Sequence, residues 1–157
     1  MSYFVNLDNS RLDEQRRVME TIVAEGHCPF CLENLTKYHK EPVLKESDYW
    51  ILTKNQWPYE GTRIHLLAIA KSHYEKLSEL PSKAGEELIS LMQWAEREFA
   101  IAGGSVFMRF GDMEYTGSTV KHIHAQLISG VPRLDSLGKE NEKLKVKLAY
   151  KTNLPSA

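Results

Sequence analysis

The 157-residue sequence contains only two cysteines. One closely spaced pair cannot build a disulfide scaffold. Net charge is low, at -1, which gives no bulk attraction for nucleic acid. No apolar run approaches the roughly 20 residues that a membrane-spanning helix needs. The first residues, Met1-Ser2-Tyr3-Phe4-Val5-Asn6, have neither a basic start nor an apolar stretch of the kind a secretory leader carries. Internal repeats and low-complexity tracts are also lacking. These absences lead to the expectation of one cytoplasmic domain over 1–157, with no membrane partner and no specific nucleic acid.

What is present begins with the cysteines themselves, Cys28 and Cys31, spaced C-P-F-C. They are either half of a zinc site or a redox pair. A redox pair is expected beside a thioredoxin-like βαβ pattern, and none surrounds them. A zinc site needs two further ligands, and six histidines are available.

The hydrophobic pattern places these residues on elements. Asn9 and Ser10 suit the start of a helix over 10–25, with Leu12, Val18, Met19, Ile22 and Val23 on its apolar side and Gly26 as its stop. Val43-Leu44 and residues 49–52 read as paired strands, and residues 65–70 as a short buried strand. Residues 81–102 contain the strongest helix, with Leu88, Leu91, Met92, Ala95 and Phe99 at core spacing and Gly103-Gly104 ending it. His73 follows the 65–70 run and opens a further helix. Residues 105–110 form a strand with Val106, Met108 and Phe110 on one side, and a polar loop over 111–119 follows. In the tail, 131–157, lysines alternate with apolar residues and predict an edge strand over 143–150.

The most informative segment is His122-Ile123-His124-Ala125-Gln126-Leu127. Successive strand side chains point to opposite faces, so His122, His124 and Gln126 project together while Ile123, Ala125 and Leu127 face a core. Cys28, Cys31, His73 and His122 would complete a Cys2His2 zinc set; the alternative is two buried reduced cysteines with unrelated histidines. His124 has two readings as well, a satisfied structural histidine or a nucleophile. A neutral imidazole can attack phosphorus without first losing a proton, provided one ring nitrogen is held by a hydrogen bond and the other is free. In the 111–119 loop, Thr116, Gly117, Ser118 and Thr119 can donate to phosphate oxygens, while Asp112 and Glu114 would repel an anion unless turned away.

H-I-H-A-Q-L-I, preceded by T-G-S-T-V-K and further upstream by H-L-L-A-I-A-K-S-H, resembles the histidine-triad superfamily over about residues 28–130. Gln126 stands at the third motif position, so the chain looks like the branch containing galactose-1-phosphate uridylyltransferase and the diadenosine polyphosphate phosphorylases. The resemblance implies an α+β fold, a twisted antiparallel sheet with helices packed against it, and a homodimer. It implies that His124 becomes covalently nucleotidylated, that Gln126 hydrogen-bonds the phosphoryl group, and that Thr119 lies near the phosphate or leaving group. Asn55 would lie near the ribose and His65 beneath the site, with Gly117 and Ser118 also on the substrate. Cys28, Cys31, His73 and His122 match a structural zinc set of some members. The substrate implied is a nucleotide or dinucleoside polyphosphate.

Three features depart from the pattern. Residues 58–65 are longer than in many hydrolase members, the 111–119 loop is more acidic, and a glutamine amide cannot relay a proton. The last favours leaving groups that need little protonation. Two rival functions are a metal-dependent hydrolase that uses His122 and His124 as catalytic ligands and a zinc-stabilised nucleotide-binding module with little turnover.

Overall fold

The computed structural model describes residues 3–153. Its element order is α1 (Asp13–Glu25), α2 (Leu32–Tyr38), β1 (Val43–Glu46), β2 (Trp50–Lys54), β3 (Ile64–Ala70), α3 (Ser82–Glu98), β4 (Ser105–Arg109), α4 (Met113–Thr116) and β5 (His124–Ser129), with short 3-10 turns at Leu7–Asn9 and Leu77–Glu79. The strands form one five-stranded sheet in the order β1-β2-β3-β5-β4, every neighbouring pair antiparallel. This is the expected α+β architecture.

Strand periodicity assigns each residue to a face. Trp50, Leu52, Leu66, Ala68, Ala70, Ile123, Ala125 and Leu127 pack against Ala84, Leu88, Leu91, Met92 and Ala95 of α3 in the main core. The Trp50 indole Nε1 donates to the Ala84 carbonyl at 2.7 Å, so its one polar atom is satisfied inside that layer. The opposite face holds a smaller cluster of Leu35, Ile51, Leu67 and Ile69 beside its polar residues. A third cluster joins α1 to the knuckle through Val5, Met19, Ile22, Cys28, Tyr38 and Val120.

Several boundaries differ from expectation. The first helix begins at Asp13, because Asn9 and Ser10 belong to the end of the 3-10 turn before it, and the Asn9 side-chain amide donates to the Ser118 carbonyl at 2.7 Å. Gly26 ends that helix as expected, in the left-handed region at φ 71°. The long helix stops at Glu98, before the glycines, where Phe99 leaves helical geometry and Ala100 takes φ 46°. Gly104 instead lies so close to the Ile128 carbonyl that a Cβ would collide with it. His73 lies in an irregular turn and opens no helix.

The 143–150 strand is corrected too. That stretch has no strand ladder and runs outside the sheet, with the Lys147 carbonyl accepting from the Arg109 guanidinium. Its period-2 pattern reflects an extended strap, of which Leu148 and Tyr150 are exposed. Residues 154–157 of the predicted tail lie outside the described residues.

Candidate active site and metal centre

Two groups of side chains meet at one end of β5. The first is Cys28, Cys31, His73 and His122, whose ligand atoms all lie within 4.8 Å of one another. Cys28 Sγ is 3.4 Å from His122 Nδ1, Cys31 Sγ is 3.5 Å from His73 Nδ1, and the two Nδ1 atoms are 3.2 Å apart. A tetrahedral zinc, with Zn–S near 2.3 Å and Zn–N near 2.0 Å, places ligand atoms roughly 3.3–3.8 Å apart. These three separations are close to that range and Cys31 Sγ lies somewhat farther from His122 Nδ1, at 4.0 Å, so the cluster could close on such an ion with small shifts.

The outer nitrogens agree. His122 Nε2 lies 2.7 Å from the Ala70 carbonyl and His73 Nε2 lies 3.2 Å from Glu75 Oε1. Each Nε2 thus carries the proton and each Nδ1 presents its lone pair inward, the arrangement in which a metal-binding histidine is oriented by a second partner. Burial pushes the Cys28 thiol up to about 12 and the Cys31 thiol upward as well. A divalent cation between them is what would hold the sulfurs as thiolates.

The second group centres on His124. Its Nδ1 lies 2.7 Å from the carbonyl of His122. A carbonyl can only accept, so Nδ1 carries the proton and Nε2 keeps a free lone pair. Burial lowers the His124 pKa to about 4, and Arg109 pushes it the same way, so the ring is neutral at pH 7. His122 therefore takes part in both groups: its ring lies in the Cys2His2 cluster and its backbone carbonyl fixes the His124 tautomer. The Phe30 ring, from the knuckle, stands edge-on to His124 at 5.3 Å between centroids.

Gln126 and His65 form the floor. The backbone N–H of Tyr59 donates to His65 Nδ1 at 3.1 Å, which puts the His65 proton on Nε2. That proton is donated to Gln126 Oε1 at 2.7 Å, and the Asn55 amide nitrogen lies beside the same ring nitrogen at 2.9 Å. With its oxygen so occupied, Gln126 offers its NH2 as a donor. His65 is held neutral by burial, its pKa lowered to about 4.

A cavity of about 760 Å³ opens above these residues and is lined by His124, Gln126, Thr119, Gly117, Asn55 and Arg109, among others. The sequence-predicted residues divide accordingly. His124, Gln126, Thr119, Gly117 and Asn55 line the cavity, and His65 lies behind Gln126. Ser118 does not line it: its hydroxyl is buried and donates to the Val120 carbonyl at 2.8 Å, so the role expected for it on substrate is not supported by its placement. Residues 113–116 of the expected loop form the one-turn helix α4. Both acidic residues there are turned to internal partners, Asp112 capping α4 and Glu114 accepting from the Asn6 amide at 3.1 Å. Neither joins the two histidines, and the His122 and His124 rings lie in separate groups.

Sequence reasoning passed over Arg109. It is the Cα partner of His124 across β4 and β5, on the same face of the sheet. Placing Val106, Met108 and Phe110 on one side already put Arg109 on the other, and a single charged residue in an apolar strand was the available signal. Arg11, Tyr59, His39 and the strap over 146–151 were passed over as well; all line the cavity. The strap also explains Gly117, which sits at φ 66° where a Cβ would run into the Leu148 carbonyl.

No family model and no curated protein matches the sequence. Solved structures do. A HIT family hydrolase from Clostridium thermocellum is 24% identical, with TM-score 0.52, over 67% of this chain and 91% of that one. A Zn-bound histidine triad family protein from Mycobacterium smegmatis is 22% identical, with TM-score 0.53, over 73% of this chain and 82% of that one. A histidine triad nucleotide-binding protein from Candida albicans is 16% identical, with TM-score 0.56, over 83% and 85%. The sheet that carries His124 and Gln126 therefore has the fold of the histidine-triad proteins.

Proposed function

We propose that this protein is a nucleotide-processing enzyme in which His124 forms a covalent nucleotidyl intermediate. One observation carries the reading: a buried, neutral imidazole whose Nδ1 proton is tied to the His122 carbonyl while Nε2 is free at a cavity. In the first step Nε2 attacks the α-phosphorus, a P–N bond forms, and the P–O bond to the leaving group breaks with the electron pair departing on oxygen. Gln126, its amide NH2 directed by His65, donates to an equatorial oxygen. Gly117 and Thr119 line the same cavity, with the Gly117 N–H donated to the Met113 carbonyl at 3.0 Å and the Thr119 hydroxyl to the Asn9 carbonyl at 3.3 Å. In the second step the oxygen of water, phosphate or a phosphorylated acceptor attacks phosphorus and releases His124 Nε2. Nothing in the Gln126 amide relays a proton, so leaving groups that depart as stable anions suit the site.

Cys28, Cys31, His73 and His122 would hold a structural zinc, since four protein ligands leave no open position for substrate. By the resemblance we also propose a homodimer, formed through a sheet edge such as β4, where Val106 is exposed. A specific link between the two centres favours this mechanism over the use of His122 and His124 as paired catalytic ligands: the residue that would bind the metal also holds the nucleophile's tautomer.

The test is to trap the intermediate. Protein incubated with a nucleotide substrate and quenched in alkali should gain the mass of one nucleotidyl group, and His124→Ala should gain none. A mass gain that persists in His124→Ala would remove the mechanism. Nucleotide binding without adduct or product would instead identify a binding module.

A further inference from the structure

Arg109 is a buried cation with no counter-ion among the described residues. Its side chain is almost wholly enclosed. Nε donates to the Thr116 carbonyl at 3.1 Å, and Nη2 donates to the Tyr59 hydroxyl and to the Lys147 carbonyl, each at 2.8 Å. All three acceptors are neutral. Among the described residues no carboxylate forms an ion pair with Arg109 or with Arg11. Arg11 is joined to it through Tyr59, with its guanidinium 4.2 Å from the centre of that ring and its other partners the carbonyls of Trp57 and Pro58. The buried hydroxyl of Ser10, on the same cavity, has no partner among the described residues.

A buried guanidinium is usually paired with an anion, because removing its charge from water is only partly offset by neutral acceptors. Here the missing anion has a place to come from. Arg109 faces the cavity and is the strand partner of His124. A substrate with more than one phosphoryl group brings further anionic oxygens into the cavity beyond those that Gln126 would meet, and Arg109 is the buried cation that lines it.

Resting on the reading of His124 as nucleophile, we infer that Arg109, with Arg11 beside it, is an anion subsite that selects substrates whose leaving group is itself phosphorylated. The planar guanidinium takes phosphoryl oxygens as paired N–H···O contacts. The charge that develops on the departing phosphate oxygen then forms beside a fixed cation in a site with little water. The Lys147 carbonyl holds one of those N–H positions in the described structure, so a phosphoryl oxygen would share or replace it. Substrates that lose a neutral amine gain nothing from this subsite.

The test compares two donors that share the attacked adenylyl group: diadenosine tetraphosphate, which loses ATP, and adenosine 5′-phosphoramidate, which loses ammonia. Single-turnover adenylylation of His124 is followed for wild type, Arg109→Gln and Arg109→Lys. Arg109→Gln should lower kcat/KM for the tetraphosphate at least about 30-fold more than for the phosphoramidate. Arg109→Lys, which keeps the charge but loses the fork, should recover part of that difference. Equal losses for both donors, or a lysine variant no better than glutamine, would make Arg109 a structural cross-link between three segments and overturn the subsite. Equilibrium binding of inorganic tripolyphosphate gives a second readout that needs no turnover. It should be salt-sensitive in wild type and at least tenfold weaker in the lysine variant if the fork matters; salt-independent binding, or none, overturns the proposal. Absence of adduct from both donors would count against His124 as nucleophile, while the tripolyphosphate measurement would still decide the subsite.

Discussion

The two faces of the sheet are built from the same strands and have opposite characters. Ile123, Ala125 and Leu127 sit in the main core against α3, where the packing is apolar apart from the Trp50 indole bond to the Ala84 carbonyl. Their neighbours His124 and Gln126 face the cavity, with Arg109 beside them, and each is held by a specific hydrogen bond. Because side chains alternate, stability and chemistry are separated by one residue and not by distance. The core face tolerates changes by volume; the cavity face tolerates them by donor, acceptor and charge.

Adjacent substitutions should therefore fail in different ways. His124→Ala should abolish the covalent step, by at least about 10³-fold in single-turnover rate, because the nucleophile is removed. Its melting temperature should stay within a few degrees of wild type. Ile123→Ala removes a fully buried side chain and should cost about 2–5 kcal/mol in urea unfolding, with the folded fraction still forming adduct within about tenfold of wild type. If Ile123→Ala lost the covalent step while still folded, the two faces would not be independent.

Removing metal should affect stability and chemistry at once, because the His122 ring lies in the cluster and its carbonyl holds His124. Chelation, or Cys31→Ser, should lower the melting temperature and slow adduct formation about 10–100-fold, the range seen when partners that orient a metal site are lost. Metal content by mass spectrometry should be one zinc per chain before treatment. Unchanged adduct kinetics in metal-free, folded protein would show that the His122 carbonyl holds its place without the ion.

The legible part of this molecule was the part with a period. Alternation at 122–127 assigned three residues to a core and three to the opposite face, and the helical spacing of Leu88, Leu91, Met92 and Ala95 identified the layer beneath. The metal cluster was legible as a set because Cys and His together are few in the chain. Contacts that depend on where loops land were not legible. Ser118 and Thr119 are neighbours of similar chemistry, and only the fold shows that one hydroxyl is buried on the Val120 carbonyl while the other residue lines the cavity. The tail's alternation was real, but alternation does not say which partner an extended segment finds; here it crosses a cavity and not a sheet edge. Arg109 was hidden by being alone, since its meaning comes from the strand beside it.

The pH response should also differ between the faces. The core face carries no titrating group, whereas burial lowers both His65 and His124 to about 4 from the usual 6.5. In the unfolded chain these histidines take up protons near 6.5, and in the folded protein only near 4. Between those values the unfolded state binds more protons, so stability falls as pH drops through that window and is unaffected by these two groups above it. The nucleophile stays neutral throughout. Adduct formation, measured in zinc-containing buffer, should be flat from pH 8 to about 5 and decline only towards 4. An acid limb near 6.5 would mean that His124 titrates in contact with water.

The smallest expected effect is also the most specific. Gln126→Ala should slow the first step by removing a donor, but it cannot distinguish a donor from a proton relay. Gln126→His can. A histidine here would accept the His65 Nε2 proton on one ring nitrogen and present an N–H from the other, preserving the donor that Gln126 supplies now. Turnover of substrates with phosphorylated leaving groups should then change by no more than about tenfold. The new ring can also protonate, which the amide cannot. Its proton would assist departure of an amine, so the ratio of phosphoramidate to tetraphosphate turnover should rise, and rise most below pH 7 where an imidazole is partly charged. A ratio that stays flat across pH would show that proton supply is not what limits the poorer leaving group. The distinction between glutamine and histidine at this position would then rest on shape and on the bond to His65, and the cavity face would resemble the core face more closely than its polar residues suggest.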